Sequence, residues 1–182
     1  MQPRLVKISK FLAKHLRHKP EALGLTLLPG GWVGIDELLA AAARKGFVLS
    51  RAELDQVVAE NDKQRFTVDA ANNRIRANQG HSVDIDLQLT AAIPPSVLFH
   101  GTVGPYLAAI FTTGLKKMAR HHVHLSADRE TAIRVGARRG QPVVLQVDSA
   151  AMAAEGHEFF LSANGVWLVD AVPPQYLKQL DG

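Results

Sequence analysis

The chain has 182 residues, room for one domain or two small ones. It is 47% hydrophobic and 21% charged, an ordinary globular composition, and it has no cysteine, which excludes disulfides, thiol nucleophiles and thiolate zinc sites. The net charge of +4 is unevenly placed: residues 1–80 hold 13 Lys/Arg against 8 Asp/Glu, residues 81–182 hold 8 against 9, and such a basic half suggests a polyanion partner at one end. No apolar run approaches the ~20 residues that span a bilayer. The opening residues do not read as a signal peptide, so a cytoplasmic location is expected, with a monomer as the default state.

Leu5, Ile8, Leu12 and Leu16 recur at helical spacing and predict a first helix over 5–17, ended by "RHKP". Two short apolar stretches then flank the turn Pro29-Gly30-Gly31. A second helix is predicted over 36–45, opened by Asp36 and Glu37 and closed by Lys45-Gly46. Ser50 and Glu53 form a capping box, with Leu49 and Leu54 placed as a hydrophobic staple, so a third helix should run to about Asn61. "RFTVDAANNRIRA" alternates on either side of Ala-Ala-Asn-Asn and predicts a hairpin. Three short helices followed by a hairpin match a winged-helix module.

"IPP" at 93–95 reads as a joint, dividing the chain into domains 1–92 and 93–182. Beyond it short strands alternate with helices: "VLFH", "GPYLAAIFTTGL", "HVHLS", "DRETAIRVGARRG", "PVVLQVD", "SAAMAAEG". A last hairpin, "FFLSANGVWLV", turns on Asn164-Gly165. The fold class expected for the whole is α+β.

Several segments combine chemistry with a plain structural role. Arg17, His18 and Lys19 sit where cations favour a helix C-terminus, and equally where they would meet an anion. In "HHVH", His122 and His124 would share a strand face, but two histidines without a carboxylate or thiolate make a poor zinc site. Gly101 in "FHGT" would let a ligand approach the backbone. Ser126 or Asp128 would cap the next helix, whose N-terminus would suit a phosphate. Arg138 and Arg139 end that helix before Gly140. The polar run Asn78–Ser82 lies between apolar segments with no evident structural reason. P-loop, dinucleotide-fold, zinc-protease and serine-hydrolase signatures are absent.

In their order, "SKFLAKHLRHKPEALGLTL", "GWV", "DKQRF", "IRANQGHS", "LFHGT", "HVHLS", "PVVLQVD", "NGVWL" and "VPPQYL" resemble the NAD-dependent RNA 2′-phosphotransferases over roughly residues 5–177. The resemblance implies an N-terminal winged-helix lobe and a C-terminal NAD-binding lobe like that of ADP-ribosyltransferases. It implies removal of an internal RNA 2′-phosphate in two steps. The phosphate first displaces nicotinamide from NAD. The ribose 2″-hydroxyl then attacks the phosphorus of the RNA 2′-phospho-ADP-ribose, releasing 2′-hydroxyl RNA and ADP-ribose 1″,2″-cyclic phosphate. The expected partners are therefore RNA bearing an internal 2′-phosphate and NAD, consumed as a co-substrate, with no metal.

Matched by motif, the catalytic set would be Arg17, His18, Arg65 and Arg138, with Arg139 adjacent to the last. Arginine suits phosphate because its planar fork binds oxygens in pairs and stays charged. The NAD contacts would be His100, Gly101, Thr102, His124, Leu125 and Ser126, with Asn78, Gln79, Gly80 and His81 adding phosphate or ribose contacts. Many protein ADP-ribosyltransferases carry a glutamate near their last strands, whereas "NGVWL" has no carboxylate, a departure that fits a phosphate nucleophile. A winged-helix nucleic-acid-binding regulator with a ligand-sensing domain would share the charge asymmetry, but not the motif series. An enzyme that ADP-ribosylates nucleic-acid phosphate ends and stops after the first step would share every residue.

Overall fold

The first helix, α1, runs Pro3–Arg17, two residues longer at its start than periodicity indicated. Pro3 fits the opening turn because its missing N–H has no helical acceptor there. Leu5, Ile8, Leu12 and Leu16 are all buried. Pro20 opens a short 3-10 turn, Pro20–Leu23, that ends on Gly24 with φ of 70°. A second such turn, Pro29–Gly31, leads into β1, Trp32–Gly34. Then come α2, Ile35–Arg44, and α3, Arg51–Ala59. The capping box is present: Ser50 Oγ accepts from Glu53 N–H at 3.2 Å, and Ser50 N–H donates to Glu53 Oε2 at 2.9 Å. Arg4 Nε donates to Glu53 Oε1 at 2.9 Å. That bond, first, and the Ser50 N–H hold the Glu53 carboxyl down at about 2.

Strands β2, Phe66–Asp69, and β3, Arg74–Ala77, pair across the Ala70–Asn73 turn as the alternation indicated. β1 adds to the other side of β3, giving an antiparallel sheet ordered β1-β3-β2. One face of this sheet, carrying Val33, Ile75, Ala77 and Phe66, packs on the helices.

The computed structural model describes residues 2–61 and 63–180. They fall into two units, Met1–Leu89 and Thr90–Gly182. The division lies three residues before the sequence-based boundary at 92/93. Ala91 already bridges Phe160, and Ala92 N–H donates to the Phe159 carbonyl at 2.7 Å.

The second unit begins with β4, Val97–Val103, followed by α4, Leu107–Thr113, and β5, Leu115–Lys116. Next are β6, Val123–Leu125; α5, Arg129–Gly136; β7, Pro142–Asp148; and α6, Ser149–Ala154. The chain closes with β8, Phe159–Leu161; β9, Trp167–Val169; β10, Ala171–Val172; and β11, Leu177–Gln179. Two three-stranded antiparallel sheets result, ordered β11-β7-β4 and β6-β9-β8, with β10 and β5 forming a separate pair. The larger sheets meet at a bridge, where Phe99 and Ser126 exchange backbone hydrogen bonds of 2.9 and 2.8 Å. Leu98, Leu125, Leu145, Val147, Met152 and Phe159 form the core. The architecture is thus mixed α and β, built on small antiparallel sheets. Among the described residues no helix is long and apolar enough to cross a membrane.

Candidate active site

The first unit gathers three motifs that lie far apart in sequence. The Arg17 carbonyl accepts from Ser82 N–H at 2.9 Å, and His18 Nδ1 lies 2.9 Å from Ser82 Oγ. Arg17 Nη2 donates to the Arg65 carbonyl at 3.4 Å, and Asn78 N–H donates to the same oxygen at 2.9 Å. "LRHKP", "DKQRF" and "NQGHS" therefore converge on one side of the unit, at the end of α1. His18 itself is the C-cap of α1, its N–H bonded to the Lys14 carbonyl at 3.1 Å. The helix end and the proline explain why the ring stops there.

Arg65 is positioned from below. Its Nη1 donates to Asn61 Oδ1 at 3.2 Å, and Asn61 Nδ2 donates to Ser9 Oγ on α1 at 3.2 Å. The preceding Gln64 takes φ of 40°, a left-handed conformation uncommon outside glycine. Asn78 holds it there, its Nδ2 donating to the Gln64 carbonyl at 2.6 Å while its Oδ1 accepts from the Thr67 hydroxyl at 2.6 Å. Asn78 is 7% exposed, so its amide fixes the loop that carries Arg65. His81 has no exposed surface and packs beside Gly31, close to Leu87. Gln79 and Gly80 connect these two and remain partly exposed.

In the second unit the structure brings "FHGT" and "HVHLS" together through the Phe99–Ser126 bridge. His100 Nδ1 lies 3.0 Å from the His124 carbonyl. A carbonyl can only accept, so Nδ1 carries the proton. His100, Gly101 and Thr102 lie within β4, with Val103 beyond them. Gly101 answers to packing: a Cβ there would stand 1.8 Å from the Ala132 carbonyl oxygen of α5. The side chains of Leu125, 1% exposed, and Thr102, 6% exposed, are buried. His121 and His122 precede β6, and His122 meets Phe160 edge-on at 5.6 Å. Among the described residues, no three His, Cys, Asp or Glu side chains are grouped to hold a metal ion.

Asp128, not Ser126, caps α5, its Oδ1 accepting from Thr131 N–H at 2.6 Å. The helix ends at Gly136, earlier than the sequence indicated, leaving Arg138 and Arg139 exposed in the turn that follows. Arg120 is the residue that sequence reasoning passed over. Its Nη1 lies 3.5 Å from His124 Nδ1. Partial burial, then repulsion from Arg139 and Arg138, lowers its pKa. Burial likewise lowers the His100 pKa, with Arg139 and Arg120 adding to the shift and the His124 carbonyl opposing it. Arg120 and Arg139 thus raise the positive potential around His100, and Arg138 acts on Arg120. The available signal was Arg120's place four residues before His124, directly ahead of a motif read only for its histidines.

His15, 5% exposed, also has a lowered pKa, chiefly from burial. A depressed histidine pKa means that the unfolded chain takes up the proton first as pH falls. Stability from His15 and His100 is therefore complete above the ordinary value of 6.5 and lost on acidification below it. The melting temperature should fall as pH is lowered from about 6.5 to 5. A rise over that interval, followed by circular dichroism, would contradict this sign.

Each unit therefore presents histidine near arginines on a mixed α and β scaffold. Residues 3–171 match the model of the RNA 2′-phosphotransferase, Tpt1 / KptA family, and the chain belongs to that family. It is 64% identical to a probable RNA 2′-phosphotransferase of Streptomyces griseus over 181 residues, covering 96% of each chain. It is 58% identical to one from Trichormus variabilis over 180 residues, covering 99% of each. A third, from Rhizobium johnstonii, is 56% identical over 184 aligned positions, covering 100% of this chain and 98% of the relative.

Proposed function

We propose that this protein removes an internal 2′-phosphate from RNA by transferring it to NAD, releasing nicotinamide, 2′-hydroxyl RNA and ADP-ribose 1″,2″-cyclic phosphate. The convergence of Arg17, His18 and Arg65 within one unit carries this reading. In it the first unit serves as a winged-helix RNA-binding lobe and the second as an ADP-ribosyltransferase-like NAD-binding lobe. The donor set of the second unit fits a dinucleotide: Arg120, Arg138 and Arg139 suit a pyrophosphate, beside His100 and His124. The family match supports the RNA and phosphate parts of the reading.

The incoming phosphate monoester is already ionised near neutral pH, since its second pKa is about 6. The first step therefore needs no base. Arg17 and Arg65 offset the negative charge and aim a phosphate oxygen at the ribose carbon. The oxygen–carbon bond forms as the carbon–nitrogen bond breaks, and nicotinamide leaves with the electron pair. In the second step the ribose 2″-hydroxyl gives up its proton, and the departing RNA 2′-oxygen gains one. In this reading His18, whose Nδ1 lies 2.9 Å from Ser82 Oγ, moves that proton.

A short RNA with one internal 2′-phosphate tests the proposal. Phosphate should be lost only when NAD is present, with one nicotinamide released per phosphate. Loss without NAD, or no loss at all, overturns it.

A further inference from the structure

The outer face of the first unit's sheet is not used by the chemistry above. Across β1 and β3, Trp32 stands opposite Arg76 and Gly34 opposite Arg74; across β2 and β3, Arg76 stands opposite Thr67. Alternation turns Val33, Ile75 and Ala77 into the core, so Trp32, Arg74, Arg76 and Thr67 share the other face. The same face continues to Asn78, which bonds Thr67 and holds the loop of Arg65.

Two guanidiniums lie on one indole there, with Arg74 Cζ 4.5 Å and Arg76 Cζ 4.6 Å from the Trp32 ring centroid. They are not equivalent. Arg74 Nε pairs with Asp69 Oδ2 at 2.8 Å. Arg76 has no carboxylate partner among the described residues; its Nη1 makes a long contact of 3.4 Å to the Gly30 carbonyl, and its Nε meets no acceptor. Burial and the neighbouring Arg74 both disfavour its charge. Stacking on indole offsets part of that penalty. An under-satisfied arginine kept beside a second arginine is completed best by an anion that accepts from its planar fork. Trp32, half-buried, offers ring surface next to it.

We propose that this face is a track for single-stranded RNA, in which Arg76, braced on Trp32, binds a backbone phosphate beyond the dinucleotide step that bears the 2′-phosphate. The inference rests on the proposed function for the identity of the strand, and on the sheet register for its path. Arg65 marks one end of the track, with Asn78, Arg76 and Trp32 following along the sheet.

The test is equilibrium binding, without NAD, of two fluorescent RNAs to the full chain: a 2′-phosphorylated dinucleotide and a longer oligonucleotide with the same phosphorylated step. Arg76→Gln should lower the ratio of long to short affinity about tenfold. It should also reduce the slope of log affinity against log salt for the longer RNA by about 0.7. Arg76→Lys, which keeps the charge but not the fork, should retain the slope while losing part of the ratio, and it carries the test if Arg76→Gln does not fold. An unchanged ratio in either folded variant overturns the track, as does an equal loss on both RNAs. Turnover of the same RNAs by wild type with NAD is scored separately. Without turnover, an Arg76-dependent ratio sinks the phosphotransferase reading and leaves the track standing. Normal turnover with an unchanged ratio does the reverse.

Discussion

Gly101→Ala should destabilise the second unit by about 3 kcal/mol, the upper part of the range for forcing a methyl into a packed interior. The upper part applies because the obstacle is backbone. A Cβ at Gly101 would stand 1.8 Å from the Ala132 carbonyl oxygen, 2.7 Å from its carbon and 2.9 Å from the Gly136 nitrogen. No rotamer change relieves such a clash, so α5 must move off β4. Gly136 compounds the constraint, since a Cβ there would stand 2.8 Å from the Thr102 carbonyl oxygen. Gly104→Ala is the control, because a Cβ there meets nothing within 4 Å. It should change stability by no more than about 0.5 kcal/mol. Urea unfolding of both variants checks the pair, and equal stabilities would show that α5 and β4 have slack.

His18→Ala should separate the two chemical steps. Under the proposed mechanism nicotinamide release needs charge and aim from Arg17 and Arg65, while resolution of the RNA–ADP-ribose adduct needs a proton moved. Loss of a positioned proton-transfer group costs about 10²–10⁴ in rate. The variant should therefore release nicotinamide and accumulate adduct. Gel analysis of labelled RNA, with nicotinamide measured in parallel, reads both steps. A variant that releases no nicotinamide would place His18 in the first step or in binding instead.

Local grammar was legible wherever the causes were local. The capping box, the Ala70–Asn73 hairpin and the Asn164-Gly165 turn all follow from side chains acting within a few residues of themselves, and the structure contains each. What the sequence concealed is non-local. β1 has only three residues, too few to display a period of two, and its strand character comes from β3, some forty residues onward. The pairs β5–β10 and β7–β11 are concealed for the same reason. Arg17, His18 and Arg65 were identified from a family's wording, and no local pattern would have joined them. The polar run Asn78–Ser82 was the one genuine local hint, and its explanation is partly structural: Asn78 holds the Gln64–Arg65 loop and Ser82 ties down the end of α1. At Gly101 the demand for a missing side chain comes from a helix packed against its strand, a cause the local sequence does not show.

One oxygen links the two arginines of the first unit. The Arg65 carbonyl accepts from Arg17 Nη2 and from Asn78 N–H at once, so the placement of one guanidinium is set by the backbone that carries the other. Free energies measured by substituting Arg17 and Arg65 one at a time are therefore not separable quantities. Each includes the relaxation of its neighbour, and the two losses will sum to something other than the loss in the double variant. The cluster is a single thermodynamic element distributed over three stretches of chain, and the coupling energy belongs to none of them alone.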